Sequence, residues 1–376
     1  MQITSLELFH VAMPLRNPWR TAHGDEATVE SILVRIEGDG QSAWAESCPG
    51  AMPSYSAEWA GGAMAVLKRW LAPAIVGQSI GSGAELQRRL AHFTGNYFAK
   101  AALDNAWWVL AAQLQGIPLH RLLGATRDVV EVGADIGVMD SVSELIEQIG
   151  AALRAGFSRI KLKIRPGWDA DVLRMVRQAY PAARLHVDCN AAYRFDDIGL
   201  FSRLDDFQLE MIEQPLAAGD LIDHARLQSQ IRTPICLDES ITSAETCRVA
   251  LDLGSCRVVN VKPGRVGGLT EALAIHDLCR EAGVTAWVGG MLESAIGGRI
   301  ALALAMLDGF TYPGDVFPSS RFYERDLATP AIELVSDGNF PPRIAALDLP
   351  GIGTEPGAEL LKQWCVEHVR VAQGSP

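Results

Sequence analysis

Five charged residues recur at a near-constant interval along the middle of this 376-residue chain: Lys163, Asp188, Glu213, Asp238 and Lys262, at steps of 25, 25, 25 and 24 residues. Each closes or follows a short apolar run, in RIKLKI, RLHVDCN, EMIEQP, ICLDES and VVNVKPG. Three acids brought together repel one another unless a cation lies between them. Oxygen-only ligation favours a hard ion, so Asp188, Glu213 and Asp238 read as a site for Mg²⁺, with Mn²⁺ as the other candidate. The two lysines flank the acids. Each could act as a base if a neighbouring cation lowers its pKa, Lys161 for Lys163, and Arg265 or the metal for Lys262. A divalent ion on a substrate carboxylate stabilises the dianion left when the adjacent C–H loses its proton. The expected chemistry is proton abstraction α to a carboxylate.

Such a repeat suits one strand, one helix and two short loops, which implies βα units and a parallel sheet. VEVGADI (130–136) precedes the series by one unit, and TAWVGG (285–290) and GFTYPGD (309–315) follow it. Seven or eight units are enough to close a (β/α)8 barrel, whose strand C-termini carry the active site. Side chains alternate along a strand, so Lys161 and Lys163 both face inward. By the same parity His186 points inward as a packed, hydrogen-bonded residue. Helical spacing is present over 143–156 and 271–283.

The first third reads differently. LELFHVAMPL and SILVRIEGDGQSAWAES are strand-like, with a turn at Gly38–Gly40 and a polar loop expected over Arg16–Glu26. Helices are expected over 55–75, 84–93 and 97–115. The expected fold is a modified (β/α)8 TIM barrel over 126–320 with an α+β capping domain over 1–125. The proline-rich segment 321–376 is expected to return to the cap.

Composition narrows the classes. A 48 % apolar content permits a large core, and a net charge of −12 without a Lys/Arg run argues against a nucleic-acid partner. No apolar run is long enough to span a membrane. MQITSLELFH lacks the features of a secretion signal, so a cytoplasmic location is expected. Seven cysteines without a CxxC pair fit buried reduced thiols. Neither G-x-G-x-x-G nor a Walker A run is present.

The K-x-K of Lys161–Lys163, Asp188 and Asn190 in VDCN, Glu213 in IEQP, Asp238 and Glu239 in LDES, and Lys262 and Arg265 in NVKPGRVGG resemble the muconate-lactonising branch of the enolase superfamily. RIKLKIRPGWD, MIEQPL, TPICLDESI, WVGGMLES, RFYERDL and PSYSAEW extend the likeness to the o-succinylbenzoate synthase / N-succinylamino acid racemase family. The resemblance implies Mg²⁺ on Asp188, Glu213 and Asp238, Lys163 and Lys262 as the acid/base pair, and Lys161, Asn190, Glu239 and Arg265 in support. It implies a small carboxylate substrate, and a homo-oligomer is expected. Arg20, His23, Gly290, Met291, Glu293 and Ser294 fall where relatives line the substrate pocket. Two stretches depart from the family pattern: Arg20-Thr21-Ala22-His23-Gly24, and Ala295 after Glu293-Ser294. They bear on substrate choice rather than on the metal chemistry. A dipeptide epimerase or cycloisomerase is the alternative within the superfamily, and an inactive binding protein the alternative outside enzymes.

Overall fold

The computed structural model describes residues 1–21, 24–335 and 341–373, so His23 lies outside the described residues. Seven parallel strands form one sheet in sequence order: Ala134–Ile136, Ile160–Lys163, Leu185–Asp188, Ile212–Glu213, Ile235–Leu237, Val258–Val261 and Thr285–Val288. Segment 310–314 supplies the eighth position, through single parallel bridges from Phe310 to Ala286 and from Gly314 to Val132. Pro313 has no amide hydrogen to give a ladder, which keeps this position from being a full strand. The buried Arg159 fastens it instead, donating to the carbonyls of Pro313 and Gly314 at 2.6 and 3.1 Å and pairing with Asp315 at 2.7 Å.

Outward-facing Ile160, Leu162, Val187, Ile235, Leu237, Val259 and Val261 are buried in one core with the surrounding helices. Those helices start on side-chain caps where the sequence offers them. Ser141 accepts from the Glu144 amide ahead of Val142–Arg154, and Ser243 from the Thr246 amide ahead of Ala244–Leu253. Leu269–Ala282 stops at Gly283, whose left-handed backbone ends the helix.

The cap is an antiparallel sheet in the order Cys365–Ala372, Ile3–Thr21, Gly24–Gly38, Gln41–Ser47, packed on the helix Tyr97–Gln115. The last strand runs along the first, from Ser5 opposite Ala372 to Val11 opposite Cys365. The polar loop expected over Arg16–Glu26 is strand on both described sides: Trp19 pairs with Glu26, Arg20 with Asp25 and Thr21 with Gly24. Cross-strand pairing overrides the turn-rich composition. Trp19 also packs edge-on against Phe322, with ring centroids 5.6 Å apart. This hairpin rests on the barrel mouth, where Val138 donates to the Arg20 carbonyl at 3.3 Å. Gly137 permits that approach, because a Cβ there would stand 2.9 Å from the Arg20 oxygen.

All seven cysteines are free thiols, six of them buried. Among the described residues no helix is long and apolar enough to cross a membrane.

Candidate active site

Equal spacing in sequence becomes a rising stair in space. Lys163, Asp188 and Glu213 are direct neighbours across their strands. Glu213 pairs with Cys236, so Asp238 stands one pleat higher; Cys236 pairs with Val258, so Lys262 rises again. Tilted barrel strands produce this stagger. Lys163 ends the second ring position and Lys262 follows the sixth, so in a ring of eight they face one another across the mouth. Gly289 clears space for the second lysine, since a Cβ there would lie 2.8 Å from Lys262 Cε.

The carboxylates are wholly buried and matched with cations. Lys161 Nζ lies 2.9 Å from Asp188, 2.8 Å from Glu213 and 3.2 Å from Asp315, while Lys163 Nζ lies 2.6 Å from Asp188. Asp238 accepts from Lys262 at 2.9 Å and from the Arg265 guanidinium. Arg265 is itself buried and held by the carbonyls of Ile241 at 2.8 Å and Asn260 at 2.6 Å. The Asn190 amide donates to Asp188 at 2.9 Å and its side chain to Glu239 at 3.2 Å. His186 packs as expected, with Nδ1 3.0 Å from the Tyr312 hydroxyl and Nε2 3.4 Å from Glu213.

The three acids do not converge on a common point: among the described residues no three Asp, Glu, His or Cys side chains are arranged to hold a metal ion. Each has turned to the nearest ammonium or guanidinium, as a buried carboxylate must. The donor set nevertheless suits a hard divalent ion. Asp188, Glu213 and Asp238 offer only oxygen, and Glu239 Oε2 and Asn190 Oδ1 beside them are buried without a hydrogen-bond partner.

Charge follows from these contacts. Burial alone would raise Asp188, but Lys161 and Lys163 hold it well below the usual carboxylate range. Burial and Asp188 push against Glu213, yet Lys161 and His186 bring it down to about 2. Burial, with Asp188 adding to it, pushes Glu239 up to about 7. The lowering of Lys262 expected from Arg265 is not found. Burial pulls it down, but the Tyr55 hydroxyl, Glu213 and Glu239 outweigh burial and Lys161, and the balance is upward. Its ammonium form is therefore favoured.

A pocket of about 820 Å³, counted to its open mouth, has Lys161, Lys163, Lys262, Asn190, Gly290 and Met291 in its wall. Glu293 and Ser294 stand behind that wall. Glu293 accepts from the Met291 amide at 2.7 Å, and Ser294 is bound to Glu46. Arg20 turns its guanidinium to Asp25 and Asp140, while Trp19, Thr21, Glu26 and Val29 of the hairpin line the pocket. Ala295 opens the helix Ala295–Ala305 and is buried, while the left-handed position of this turn falls at Leu292, φ 62°.

Tyr55 carried no spacing signal, because it comes from a cap loop. Its hydroxyl donates to Asp238 at 3.0 Å and accepts from Lys262 at 3.1 Å and Arg265 at 3.2 Å. Tyr55→Phe is expected to lower kcat/KM by about 10-fold or more and to lower stability by about 1–3 kcal/mol, since charge-assisted hydrogen bonds are lost while packing is kept. Steady-state kinetics check this, and an unaltered kcat/KM would remove Tyr55 from the site. Asn260, also outside the regular series, donates to Glu213 at 2.7 Å.

The cap grips the barrel through Glu46, which accepts from the Ser294 amide and hydroxyl at 3.2 and 2.5 Å and the Gly297 amide at 2.9 Å. Burial pushes its carboxyl from 4.5 up to about 7. Because the folded value exceeds the unfolded one, the stabilisation from its protonated form is full below pH about 4.5 and is lost as pH rises through about 7. Glu46→Gln should therefore gain stability relative to the parent, on the order of 3 kcal/mol, between about pH 5 and pH 8. Denaturant unfolding at both pH values tests this, and a pH-independent difference would contradict it.

Comparison with known proteins matches residues 3–124 to the N-terminal domain of the mandelate racemase / muconate lactonizing enzyme family, and residues 144–360 to the enolase C-terminal domain-like family. The chain belongs to the enolase superfamily. Within this superfamily it is 47 % identical to an o-succinylbenzoate synthase of Geobacillus kaustophilus over 92 % of this chain and 91 % of the relative. It is 42 % identical to an N-succinylamino acid racemase of Thermus thermophilus over 91 % of this chain and 92 % of the relative. A solved enolase-superfamily structure from Listeria innocua superposes with a TM-score of 0.93 at 34 % identity, covering 99 % of both chains. The chain is thus a member of the o-succinylbenzoate synthase / N-succinylamino acid racemase family, and enzymes of the wider mandelate racemase family depend on a divalent metal.

Proposed function

We propose that this enzyme removes the proton α to a substrate carboxylate, as an o-succinylbenzoate synthase, an N-succinylamino acid racemase, or both. One observation carries the reading: Lys163 and Lys262 are buried on opposite sides of one pocket, each beside a carboxylate. In racemisation one lysine takes the α-proton and the other returns a proton to the opposite face. In dehydration Lys163 takes the α-proton and then delivers it to the departing hydroxyl, which leaves as water. Lys262 remains an ammonium and steadies the enediolate, a role that its raised pKa suits. Asp188, Glu213 and Asp238 would hold Mg²⁺, which when bound offsets the charge developing on the substrate carboxylate. Lys161 keeps Asp188 and Glu213 ionised, Arg265 and Tyr55 orient Asp238, and Asn190 orients Glu239. The reading includes a cytoplasmic homo-oligomer, with the cap formed by 1–125 and 321–376 and the catalytic barrel by 126–320.

The test supplies the Mg²⁺-loaded enzyme with the hydroxycyclohexadiene dicarboxylate of the synthase reaction and with a panel of N-succinylamino acids. Turnover of at least one class is expected, with kcat/KM of about 10⁴ M⁻¹s⁻¹ or higher. Inertness toward both classes would overturn the assignment.

A further inference from the structure

Every cation lining the pocket already has a carboxylate. Lys161 has Asp188, Glu213 and Asp315, Lys163 has Asp188, and Lys262 has Asp238. Asp135 is the most buried of the acids left over. It lines the pocket, is 5 % exposed, and its Oδ1 is buried with no hydrogen-bond partner. Among the described residues its carboxylate has no ion-pair partner; Arg321 donates to its main-chain carbonyl and acts on the carboxylate through space, without a direct contact. Burial pushes its carboxyl upward against the pull of Lys163 and Lys161.

Asp135 lies opposite Lys161 in the register of the neighbouring strand, and the next residue of the same parity is Gly137, which adds no side chain above it. Glu26 lines the same pocket, as do Trp19 and Phe317. Both rings are braced edge-on by Phe322, at centroid distances of 5.6 and 5.3 Å. A buried carboxylate without a partner is costly, and carboxylates set beside aromatic rings are the surroundings that an ammonium or guanidinium prefers.

We propose that Asp135, with Glu26 and the rings of Trp19 and Phe317, forms a subsite for a cationic group on the substrate, so that the enzyme prefers N-acylamino acids with a basic side chain. This rests on the α-proton chemistry proposed above and names the substrate class for it.

N-succinyl-L-arginine and N-succinyl-L-citrulline provide the test, because they match in size and differ in a guanidinium against a neutral urea. Racemisation and α-deuterium exchange are followed for both in D₂O with Mg²⁺. The arginine compound is expected to have the higher kcat/KM by about 10- to 100-fold, the range for a charge-assisted pair. Asp135→Asn should shrink that ratio by a similar factor, and Glu26→Gln by less. A variant that folds poorly lowers both rates together and leaves the ratio in place. Equal or better use of the citrulline compound by the unmodified enzyme would overturn the subsite and leave the α-proton chemistry standing, as would a ratio unmoved in both variants. Failure of both compounds to exchange would overturn the subsite, and inertness toward the hydroxycyclohexadiene dicarboxylate as well would overturn the α-proton chemistry.

Discussion

Lys163→Ala and Lys262→Ala are each expected to lower racemisation of an N-succinylamino acid by about 10³-fold or more, because removal of a positioned acid or base costs about 10²–10⁴-fold and inversion needs both. The variants should differ from one another in an informative way. Each retains one lysine, which can still take the proton from the enantiomer presented to its own face and return solvent deuterium there. One variant should therefore exchange only one enantiomer without inverting it, and the other variant only its mirror image. In the dehydration direction Lys163→Ala should be the more damaging, since Lys262 contributes charge rather than proton transfer. Both variants should fold. Asp188 keeps Lys161 when Lys163 is removed, and Asp238 keeps Arg265 when Lys262 is removed, so neither leaves a buried carboxylate unpaired. Chiral chromatography with deuterium analysis reads the result, and undiminished racemisation in either variant would contradict the two-base scheme.

Removal of divalent ions by a chelator should abolish both activities, with restoration by Mg²⁺. The same ion should raise the unfolding temperature, because a ligand at about 100 times its Kd stabilises by about 2.7 kcal/mol. Glu213→Gln replaces one anionic oxygen with an amide while keeping its shape. It should shift the half-saturating Mg²⁺ upward by about 10-fold or more, since affinity follows the charge of the ligand set. Activity that persists after exhaustive chelation, or an unfolding temperature indifferent to Mg²⁺, would contradict the assignment of Asp188, Glu213 and Asp238.

The barrel and its charged series were legible in the sequence because each βα unit delivers one strand end to the same mouth. A fixed interval of residues therefore marks a fixed place in the fold. Pleat level was not legible. Asp238 follows Glu213 by the same interval that separates Asp188 from Glu213, yet Glu213 faces Cys236, and only the strand register shows Asp238 rising above its neighbours. The effect of Arg265 on Lys262 was not legible for a related reason. Arg265 does lie close, but it is engaged with Asp238, while Tyr55 and Glu239 reach the lysine through space and favour its ammonium form. Tyr55 arrives from the cap and Asp135 stands on the first strand of the sheet, off the regular interval, so PSYSAEW and VEVGADI could be picked out as segments while the spacing marked neither residue. The Arg16–Glu26 stretch reads as a loop from its polar residues, but Trp19 against Phe322 and the pairing of Arg20 with Asp25 make it a hairpin over the mouth.

The most direct measurement of the central claim is a short incubation of one N-succinylamino acid enantiomer with the Mg²⁺-loaded enzyme in D₂O, stopped at low conversion. If Lys163 and Lys262 work from opposite faces, the inverted product carries deuterium at Cα while the remaining substrate is largely unlabelled. Inverted product that retains the original proton would contradict the account, because a single base would then have carried that proton from one face to the other.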